Sequence, residues 1–148
     1  MIITRQLLMH ESDAAARLHR RGGALIPGYD LSLHTPEEDL IFYRDHVMKT
    51  CTVWGAFEGE HLRGHIAIRP GWVDHLYVDP NFLRLGIGSK LMQIAKSQQN
   101  ELRLFTFQSN TRARAFYEMQ SFVIEALSDG ADNEEKLPDV TYLWRNRR

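Results

Sequence analysis

The sequence predicts an α+β domain with one mixed sheet, and three observations support this class. Strand-like and helix-like patterns follow one another along the chain in the order β-α-α-β-β-β-α-β-α-β. The length of 148 residues, with 43% hydrophobic and 25% charged residues, suits one domain with a single core. The stretch 72–90 combines a strand, a glycine turn and a helix, and it forms a β-α-β unit with the apolar strand that follows it.

The composition limits the classes of function. With 18 Lys+Arg against 19 Asp+Glu, the net charge of -1 predicts no strong attraction to nucleic acid or to an anionic membrane. The single Cys51 cannot form an internal disulfide, and the histidines show no metal-ligand spacing. No apolar run approaches the ~18 residues of a membrane span, and the N-terminus lacks a signal-peptide core. We expect a cytoplasmic enzyme or binding domain without a metal.

The first third of the chain predicts one strand and two helices. Residues 2–8 suit a strand, and Ser12 or Asp13 is expected to cap a helix that the glycine pair 22–23 ends. Residues 24–34 are expected to form a loop. The segment Thr35-Pro36-Glu37-Glu38 is a capping box with proline at the first helical position, and the apolar residues that follow as far as Met48 give one face of a second helix.

The middle of the chain predicts a hairpin that leads into the central strand. Alternating apolar runs at 51–57 and 62–69 flank a turn that contains Gly59. In the strand from Trp72 onward, alternation predicts that Val73, His75 and Tyr77 lie on one side and that Asp74, Leu76 and Val78 lie on the other. Pro80 ends this strand, and Gly86 and Gly88 open the next helix.

This glycine turn predicts an anion site. Backbone N–H groups at a helix N-terminus are unpaired and carry partial positive charge. Gly86 and Gly88 let a phosphate approach these groups without a Cβ in the way. We therefore expect a phosphorylated ligand.

The last third predicts two strands around a helix and a final strand. The helix of the glycine turn runs to about Asn100, and residues 102–107 form a short apolar strand. Asn110 is expected to cap the next helix, after which strand character resumes at 122–127. The polar, acidic stretch 128–139 is expected to be a loop, and 140–144 the last strand.

The element order, together with V-D-P-N-F-L-R-L-G-I-G-S-K-L-M and N-T-R-A-R-A-F-Y-E-M-Q-S-F, resembles the GCN5-related N-acetyltransferase (GNAT) superfamily over nearly the whole chain, 1–148. The resemblance implies a central, mixed, mostly antiparallel twisted sheet of about seven strands flanked by about four helices. It implies acetyl-CoA as donor, and we expect direct transfer to a primary amine of a small molecule in a ternary complex. Dimers are common in the superfamily, so a homodimer is one expected assembly, although no stretch identifies an interface.

The resemblance also implies which residues hold the donor. Main-chain groups of three residues of the central strand would pair with the pantetheine arm, and amides of the glycine turn would hold the pyrophosphate. Arg84 and Lys90 would add positive charge, and Asn110 would contact the pantetheine. The full implied set is Leu76, Tyr77, Val78, Leu83, Arg84, Leu85, Gly86, Ile87, Gly88, Ser89, Lys90, Asn110, Ala113 and Phe116.

The implied chemistry needs an acid and a base. The resemblance implies that the Tyr117 hydroxyl gives a proton to the departing thiolate, where negative charge develops. Asp74 and His75, on the central strand, are the candidate bases, and a structural or solvent-exposed role is equally open for both. Because neighbouring strand residues point to opposite faces, only one of them is expected to face the acceptor.

The acidic loop offers a second candidate surface. Glu134, Glu135 and Asp139 could bind a cationic amine, or they could form an ordinary solvated loop. The P-D-V-T-Y segment is similar to one found in an uncharacterised bacterial branch of the superfamily.

Two positions depart from the superfamily pattern. Leu83 stands where Gln or Arg is usual, and Ser121 stands where Gly is usual; Ser121 is therefore expected to adopt a turn conformation that glycine takes more easily. Neither position removes a proposed catalytic group. Two alternatives to the small-molecule enzyme stay open, a non-catalytic acyl-CoA-binding regulatory module and an acetyltransferase acting on a protein amine.

Overall fold

The computed structural model describes residues 1–147, and these form a seven-stranded sheet in the order β1-β2-β3-β4-β5-β7-β6. The β4–β5 pair is parallel, and every other neighbouring pair is antiparallel, so the predicted mixed and mostly antiparallel sheet is confirmed. The strands are β1 (Ile2–Gln6), β2 (Thr52–Glu58), β3 (His61–Arg69), β4 (Trp72–Val78), β5 (Glu101–Phe107), β6 (Val123–Ser128) and β7 (Asp139–Arg145).

Four helical segments flank the sheet in the described chain. The second segment carries two labels, α2 and α3, because a π turn at Tyr43–Val47 joins these two helices without a break. The helices are α1 (Ser12–Gly23), α2 (Pro36–Phe42), α3 (Met48–Thr50), α4 (Ile87–Gln98) and α5 (Thr111–Met119).

The core lies on both faces of the sheet, as the alternation along β3 shows. Ile66 and Ile68 pack with α4 and α5, whereas Ala67 between them packs with α1 and the π turn. Both layers are tightly buried, since Leu18 of α1 and Leu91 of α4 are fully inaccessible. Burial of such side chains contributes roughly 1.5–3 kcal/mol each to folding. The α1 and α2 layer will be called the first face, and the α4 and α5 layer the second face.

The helix starts were predicted with mixed success. The capping box at Thr35 is confirmed, because its hydroxyl accepts from the Glu38 N–H at 3.1 Å and the Glu38 carboxylate accepts from the Thr35 N–H at 2.8 Å. The predicted cap of α1 is wrong. A 3₁₀ turn at Met9–Glu11 precedes the helix, so Ser12 and Asp13 already lie within its first turn.

The predicted alternation along β4 is wrong at Val73. The pairing with β3 shifts between Ala67 and Ile68, which leaves Asp74 without a register partner. Such a bulge adds one residue to the strand and reverses the faces on one side of it. Val73 therefore packs in the second-face core with Leu76 and Val78.

Most other boundaries agree within two residues. The hairpin turn has Gly59 in the left-handed region with φ 59°, and Gly86 takes φ 80° as the N-cap of α4. Ser121 has φ 71°, so the strained turn predicted there is confirmed. The predicted loop at 24–34 holds one short 3₁₀ turn at Leu31–Leu33. Within residues 1–147, no helix is both long and apolar enough to cross a membrane.

Candidate active site between two diverging strands

The central feature of the site is an opening between β4 and β5. These parallel strands share one register pair, Trp72 with Arg103, and the Arg103 N–H also donates to the Gly71 carbonyl at 2.8 Å. Beyond this point β4 stays paired with β3 as far as Val78. The other edge of β4 at residues 76–78 therefore has no strand partner in the described chain, and an extended ligand can pair with it as a strand would.

The α4 N-terminus lies directly after this opening along the chain. Asp79 is buried and caps the 3₁₀ turn at Pro80–Phe82 through the Asn81 N–H, 3.0 Å away. Arg84 and Gly86 then take left-handed conformations, with φ 65° and 80°. The first turn of α4 contains no acidic side chain. Its unpaired N–H groups thus form a concentrated positive end without a competing carboxylate.

Glycine is needed at positions 86 and 88 for two different physical reasons. A Cβ at Gly86 would meet nothing within 4 Å, but its φ of 80° is unfavourable for other residues. A Cβ at Gly88 would lie 3.2 Å from the Phe116 ring. Gly88 therefore allows α5 to pack closely on the start of α4, which brings the two predicted motifs together.

On α5, Tyr117 faces the second-face core beside this junction. Tyr117 is 8% exposed, and its ring lies edge-on to the Phe122 ring and tilted against the Tyr142 ring, with both centroids 6.0 Å away. Burial raises the pKa of the phenol well above 10, so the hydroxyl stays protonated at neutral pH. Asn110 caps α5, because its Oδ1 accepts from the Ala113 N–H at 3.3 Å. This bond occupies one of the groups of Asn110 that a ligand could use.

On the first face, α1, the π turn, β3 and β4 bring five aromatic side chains together. Tyr43 lies between two imidazoles, with its hydroxyl 2.7 Å from His19 Nδ1 and 2.9 Å from His65 Nε2. The centroid of the His19 ring is 5.1 Å from that of His75 and 4.4 Å from that of Tyr77. A Cβ at Gly22 would overlap the Tyr77 ring, so the glycine pair at the end of α1 permits this contact. The set His19, Tyr43, His65, His75 and Tyr77 will be called the histidine cluster.

The histidine cluster is neutral at physiological pH. Burial lowers the pKa of His75 to about 4, and burial together with the neighbouring imidazoles lowers that of His19 to about 3. The pKa of His65 lies well below 6.5 for the same reasons. Each neutral imidazole has one ring nitrogen that carries a hydrogen and one that does not. The second nitrogen can accept a hydrogen bond or a proton.

The two candidate bases have different environments. The Asp74 carboxylate, at the bulge, accepts a hydrogen bond from Arg69 Nε at 2.7 Å and one from Cys51 Sγ at 3.4 Å. His75 instead faces the first face beside His19 and Tyr43, and the hydrogen bonds found in the cluster in residues 1–147 do not include its ring. Burial lowers the pKa of His75, and the charge of the adjacent Asp74 acts in the opposite direction. Which of the two faces the acceptor stays a prediction.

The acidic loop at 129–138 contacts the loop between α1 and α2. Glu134 Oε1 lies 2.9 Å from His34 Nε2, and this pairing raises the pKa of His34. The Ser109 hydroxyl donates to the Pro27 carbonyl at 2.6 Å, and Gly28 lies against Leu137. Asp139 accepts a bond from the Asn133 side chain at 3.1 Å. Two of the three predicted acceptor-binding carboxylates therefore have protein partners.

Glu135 is the remaining acidic residue of the predicted set. Its charge raises the pKa values of both Tyr29 and Tyr77, after the larger effect of burial. Tyr29 also packs on Phe107, with ring centroids 5.8 Å apart. Tyr29 and Tyr77 thus lie within the field of a carboxylate, and aromatic rings near a negative charge suit a cationic group.

The structure brings the implied donor-binding residues together around one opening, because β4, the turn at 83–86, α4 and α5 meet there. Sequence reasoning missed His19, Tyr43 and His65. His19 and Tyr43 are 24 residues apart along the chain, and Tyr43 and His65 are 22 apart. The three lie on different elements, so no local motif joins them. The only sequence feature that marks them is the presence of histidine and tyrosine on otherwise apolar faces. By itself this feature is typical of core residues. Within residues 1–147, no group of three or more His, Cys, Asp or Glu side chains is arranged to hold a metal ion.

Comparisons with known proteins support one family. The model of the acetyltransferase (GNAT) family matches residues 24–122. The chain is also similar to the peptidyl-lysine N-acetyltransferase YiaC of Escherichia coli K12, with 30% identity over 102 residues, which are 68% of each chain.

Two solved structures share the fold. The apo form of YjaB from Escherichia coli has a TM-score of 0.78 at 20% identity, with 99% of each chain covered. The putative acetyltransferase yncA from Salmonella typhimurium, solved with its cofactor acetyl-CoA, has a TM-score of 0.75 at 12% identity, with 100% of this chain and 95% of that chain covered. At these identities the likeness concerns the fold alone.

Proposed function

Because this chain belongs to the acetyltransferase (GNAT) family, we propose that it transfers an acetyl group from acetyl-CoA directly to a primary amine of a small molecule. The observation that carries this proposal is the opening between β4 and β5, which ends at the α4 N-terminus and has Tyr117 beside it. A ligand in this opening would meet a free backbone edge, an anion site and a phenol.

The residues present fit acetyl-CoA. The free edge of β4 at 76–78 can take the pantetheine amides, because amide groups pair with a strand edge as another strand does. The first-turn amides of α4, with Arg84 and Lys90 nearby in the chain, can take the phosphates. Gly86 leaves open space where a Cβ would stand, so a phosphate can reach the backbone there.

Acetyl-CoA supplies an activated thioester, and the protein supplies the proton donor for its sulfur. The Tyr117 phenol stays protonated because burial raises its pKa. It can therefore give its hydrogen when negative charge develops on the departing thiolate, which is the point at which a hydrogen bond accelerates the reaction.

The amine must lose a proton, and His75 is the better candidate to take it. Its imidazole is neutral, since burial lowers its pKa to about 4. Asp74 Oδ2 accepts hydrogen bonds from both Arg69 and Cys51, so the guanidinium partly neutralises this carboxylate, whereas the His75 ring has no such partner among residues 1–147. Glu135, whose charge acts on Tyr29 and Tyr77, can attract the amine in its charged form before that proton is lost.

The two loops over the acceptor side favour a small acceptor. The loop at 24–34 and the acidic loop touch through the Glu134–His34 contact and through Gly28 and Leu137. Ser109, at the start of the α5 turn, ties Pro27 of the first loop to the same side. An extended polypeptide would have to displace these contacts, whereas a small amine would not.

The similarity to the peptidyl-lysine N-acetyltransferase YiaC supports a second candidate function for this chain, the acetylation of a lysine side chain in a polypeptide. The same aromatic and acidic surroundings suit a lysine side chain, because it presents the same alkylammonium group. Membership in an acetyltransferase family favours either transferase over a non-catalytic acyl-CoA-binding module.

An acceptor screen with acetyl-CoA tests the proposal. Purified protein is incubated with matched sets of small primary amines and lysine-containing peptides, and thiol release is followed. We expect turnover with at least one small amine and at most weak turnover with peptides. Preferential turnover of peptides would support the second candidate and overturn the small-molecule assignment.

A binding measurement covers the donor. At 100 times its Kd, acetyl-CoA stabilises the folded state by about 2.7 kcal/mol. For a chain of this size, that corresponds to a Tm increase of roughly 5–10 °C. Acetate at the same concentration is the control and should leave Tm unchanged. Equal melting curves with and without saturating acetyl-CoA would contradict the proposed donor.

A further inference from the structure

The histidine cluster contains a hydrogen-bonded chain whose hydrogens can be counted. His65, Tyr43 and His19 are joined in that order, at 2.9 Å and 2.7 Å through the Tyr43 hydroxyl. Tyr43 and His65 are each 0% exposed. The Tyr43 hydroxyl carries one hydrogen, so it donates to one imidazole and accepts from the other.

The unpaired nitrogen of His65 decides the direction of the chain. His65 Nδ1 is buried and has no hydrogen-bond partner within residues 1–147. A buried N–H without an acceptor is rarer in folded proteins than an acceptor with a free lone pair. The hydrogen of His65 is therefore on Nε2, which donates to the Tyr43 oxygen. Tyr43 then donates its own hydrogen to His19 Nδ1.

The π turn explains how Tyr43 reaches this position. The helical segment widens at Tyr43–Val47, which is the part that buries Tyr43 and Val47. Such local widening of a helix is frequent at functional sites, because it moves a side chain that a regular turn would place elsewhere. Tyr43 consequently packs against three rings of the cluster, those of His19, His65 and His75.

From this geometry we propose that Tyr43 and His65 are positioning residues that hold His19 as its Nε2–H tautomer. The inference rests on the proposed acetyl transfer for its role in catalysis, but not for the tautomer itself. With the hydrogen on Nε2, His19 meets the Tyr77 hydroxyl, 3.5 Å away, as a donor. His19 cannot then accept a proton at this nitrogen, and His75 is left as the imidazole that does.

The proton balance follows directly. As the amine nitrogen bonds to the acetyl carbon, the carbon–sulfur bond breaks and its electron pair stays on sulfur. Sulfur takes the Tyr117 proton, and the surplus proton of the amine goes to the His75 imidazole. Exchange with solvent restores both groups. His19 loses and gains no proton in this sequence, so its part is to keep one fixed hydrogen on Nε2.

The nitrogen-15 spectrum of histidine-labelled protein tests the tautomer, because protonated and unprotonated ring nitrogens have distinct shifts. In the unmodified protein we expect His19 to carry its hydrogen predominantly on Nε2, with the Nδ1–H form as a minor population. A hydrogen predominantly on Nδ1 of His19 would overturn the proposal without any variant.

Tyr43→Phe tests the cause. It removes one oxygen and keeps the ring, so His19 Nδ1 loses its donor. We expect the Nδ1–H form of His19 to rise about fivefold or more, since one hydrogen bond sets a ratio of that size. An unchanged His19 signal in this variant would overturn the proposal. Tyr142→Phe is the matched control, because it removes a hydroxyl that binds Glu118 at 2.6 Å outside the histidine cluster, and it should leave the His19 signal unchanged.

Kinetics test the role in catalysis separately. With the amine found in the acceptor screen, Tyr43→Phe should lower kcat about fivefold and leave KM for acetyl-CoA unchanged. A shifted tautomer with unchanged kcat would overturn the catalytic part of the proposal. If no acceptor is found, the function proposed above fails, whereas the spectrum still decides whether Tyr43 and His65 fix the His19 tautomer.

Discussion

At the level of single residues, the proposed acid role of Tyr117 depends on one oxygen atom. The phenol is buried among aromatic rings, and this burial keeps it protonated at the pH at which the thiolate forms. The ring by itself supplies packing, and only the hydroxyl supplies a proton. The two contributions can therefore be separated by a variant that keeps the ring.

Tyr117→Phe should lower kcat about 100-fold, because a positioned general acid contributes roughly 10²–10⁴ to rate. The thermal midpoint and the affinity for CoA should change little, since the ring still fills the core. Steady-state transfer across pH and CoA titration measure both quantities. Unchanged kcat at every pH, with normal CoA binding, would show that another group protonates the thiolate.

The choice between Asp74 and His75 also belongs to this scale. The sequence predicted that one of the two would face the acceptor, because neighbouring strand residues point apart. It could not place the bulge, which is visible only in the pairing of β4 with β3 and which sets the surroundings of both side chains. The ring contacts of His75 and the Arg69 partner of Asp74 follow from that bulge.

At the level of elements, the glycine turn before α4 is the proposed binding site for the donor phosphates. Gly86 and Gly59 are both left-handed, with φ 80° and 59°, and a Cβ at either would meet no atom within 4 Å. They differ in location, because Gly86 caps α4 at the proposed phosphate site and Gly59 lies in the β2–β3 hairpin. Substituting each glycine in turn therefore distinguishes the effect of backbone strain from the effect on ligand binding.

Gly86→Ala and Gly59→Ala should each lower stability by about 1 kcal/mol, which is the cost of a left-handed conformation for alanine. Only Gly86→Ala should also weaken acetyl-CoA binding, since the Cβ and any relaxation of the turn disturb the amides at the helix start. Calorimetric titration with acetyl-CoA measures the difference. Equal affinities for the two variants would argue against a phosphate at this turn.

At the level of the whole molecule, the neutral histidine cluster makes stability depend on pH. In the unfolded chain these histidines have an ordinary pKa near 6.5, whereas in the fold the pKa is about 3 for His19, about 4 for His75 and well below 6.5 for His65. Between about pH 4 and 6.5 the unfolded state therefore binds more protons. The free energy of unfolding must rise with pH in this window and level off above it.

Lowering the pH from 7 to 5.5 should therefore reduce the free energy of unfolding by about 1 kcal/mol for each of the three histidines, or about 3 kcal/mol in all. Glu11, whose pKa falls to about 2, acts in the same direction, but chiefly below its ordinary value of 4.5. His34, whose pKa is raised, acts in the opposite direction, but its side chain is 40% exposed and the effect is small.

Denaturant titrations at the two pH values measure this difference. Replacing one cluster member, as in His75→Gln, should reduce it by about a third. Replacing the exposed His61 by Gln is the matched control and should leave it unchanged. Equal stability of the unmodified protein at pH 5.5 and 7 would contradict a buried, neutral cluster.

The sequence by itself determined the element order, the capping box at Thr35, the glycine turn and the link between that turn and the helix of Tyr117. These features are local, since each is set by neighbours within a few residues or by one hydrophobic period. The family resemblance had the same basis, because its two motifs are continuous stretches. The opening between β4 and β5 and the assembly of His19, Tyr43 and His65 were decided only by the tertiary structure. They depend on which strands diverge and on which faces meet, and interactions between residues far apart in the chain determine both.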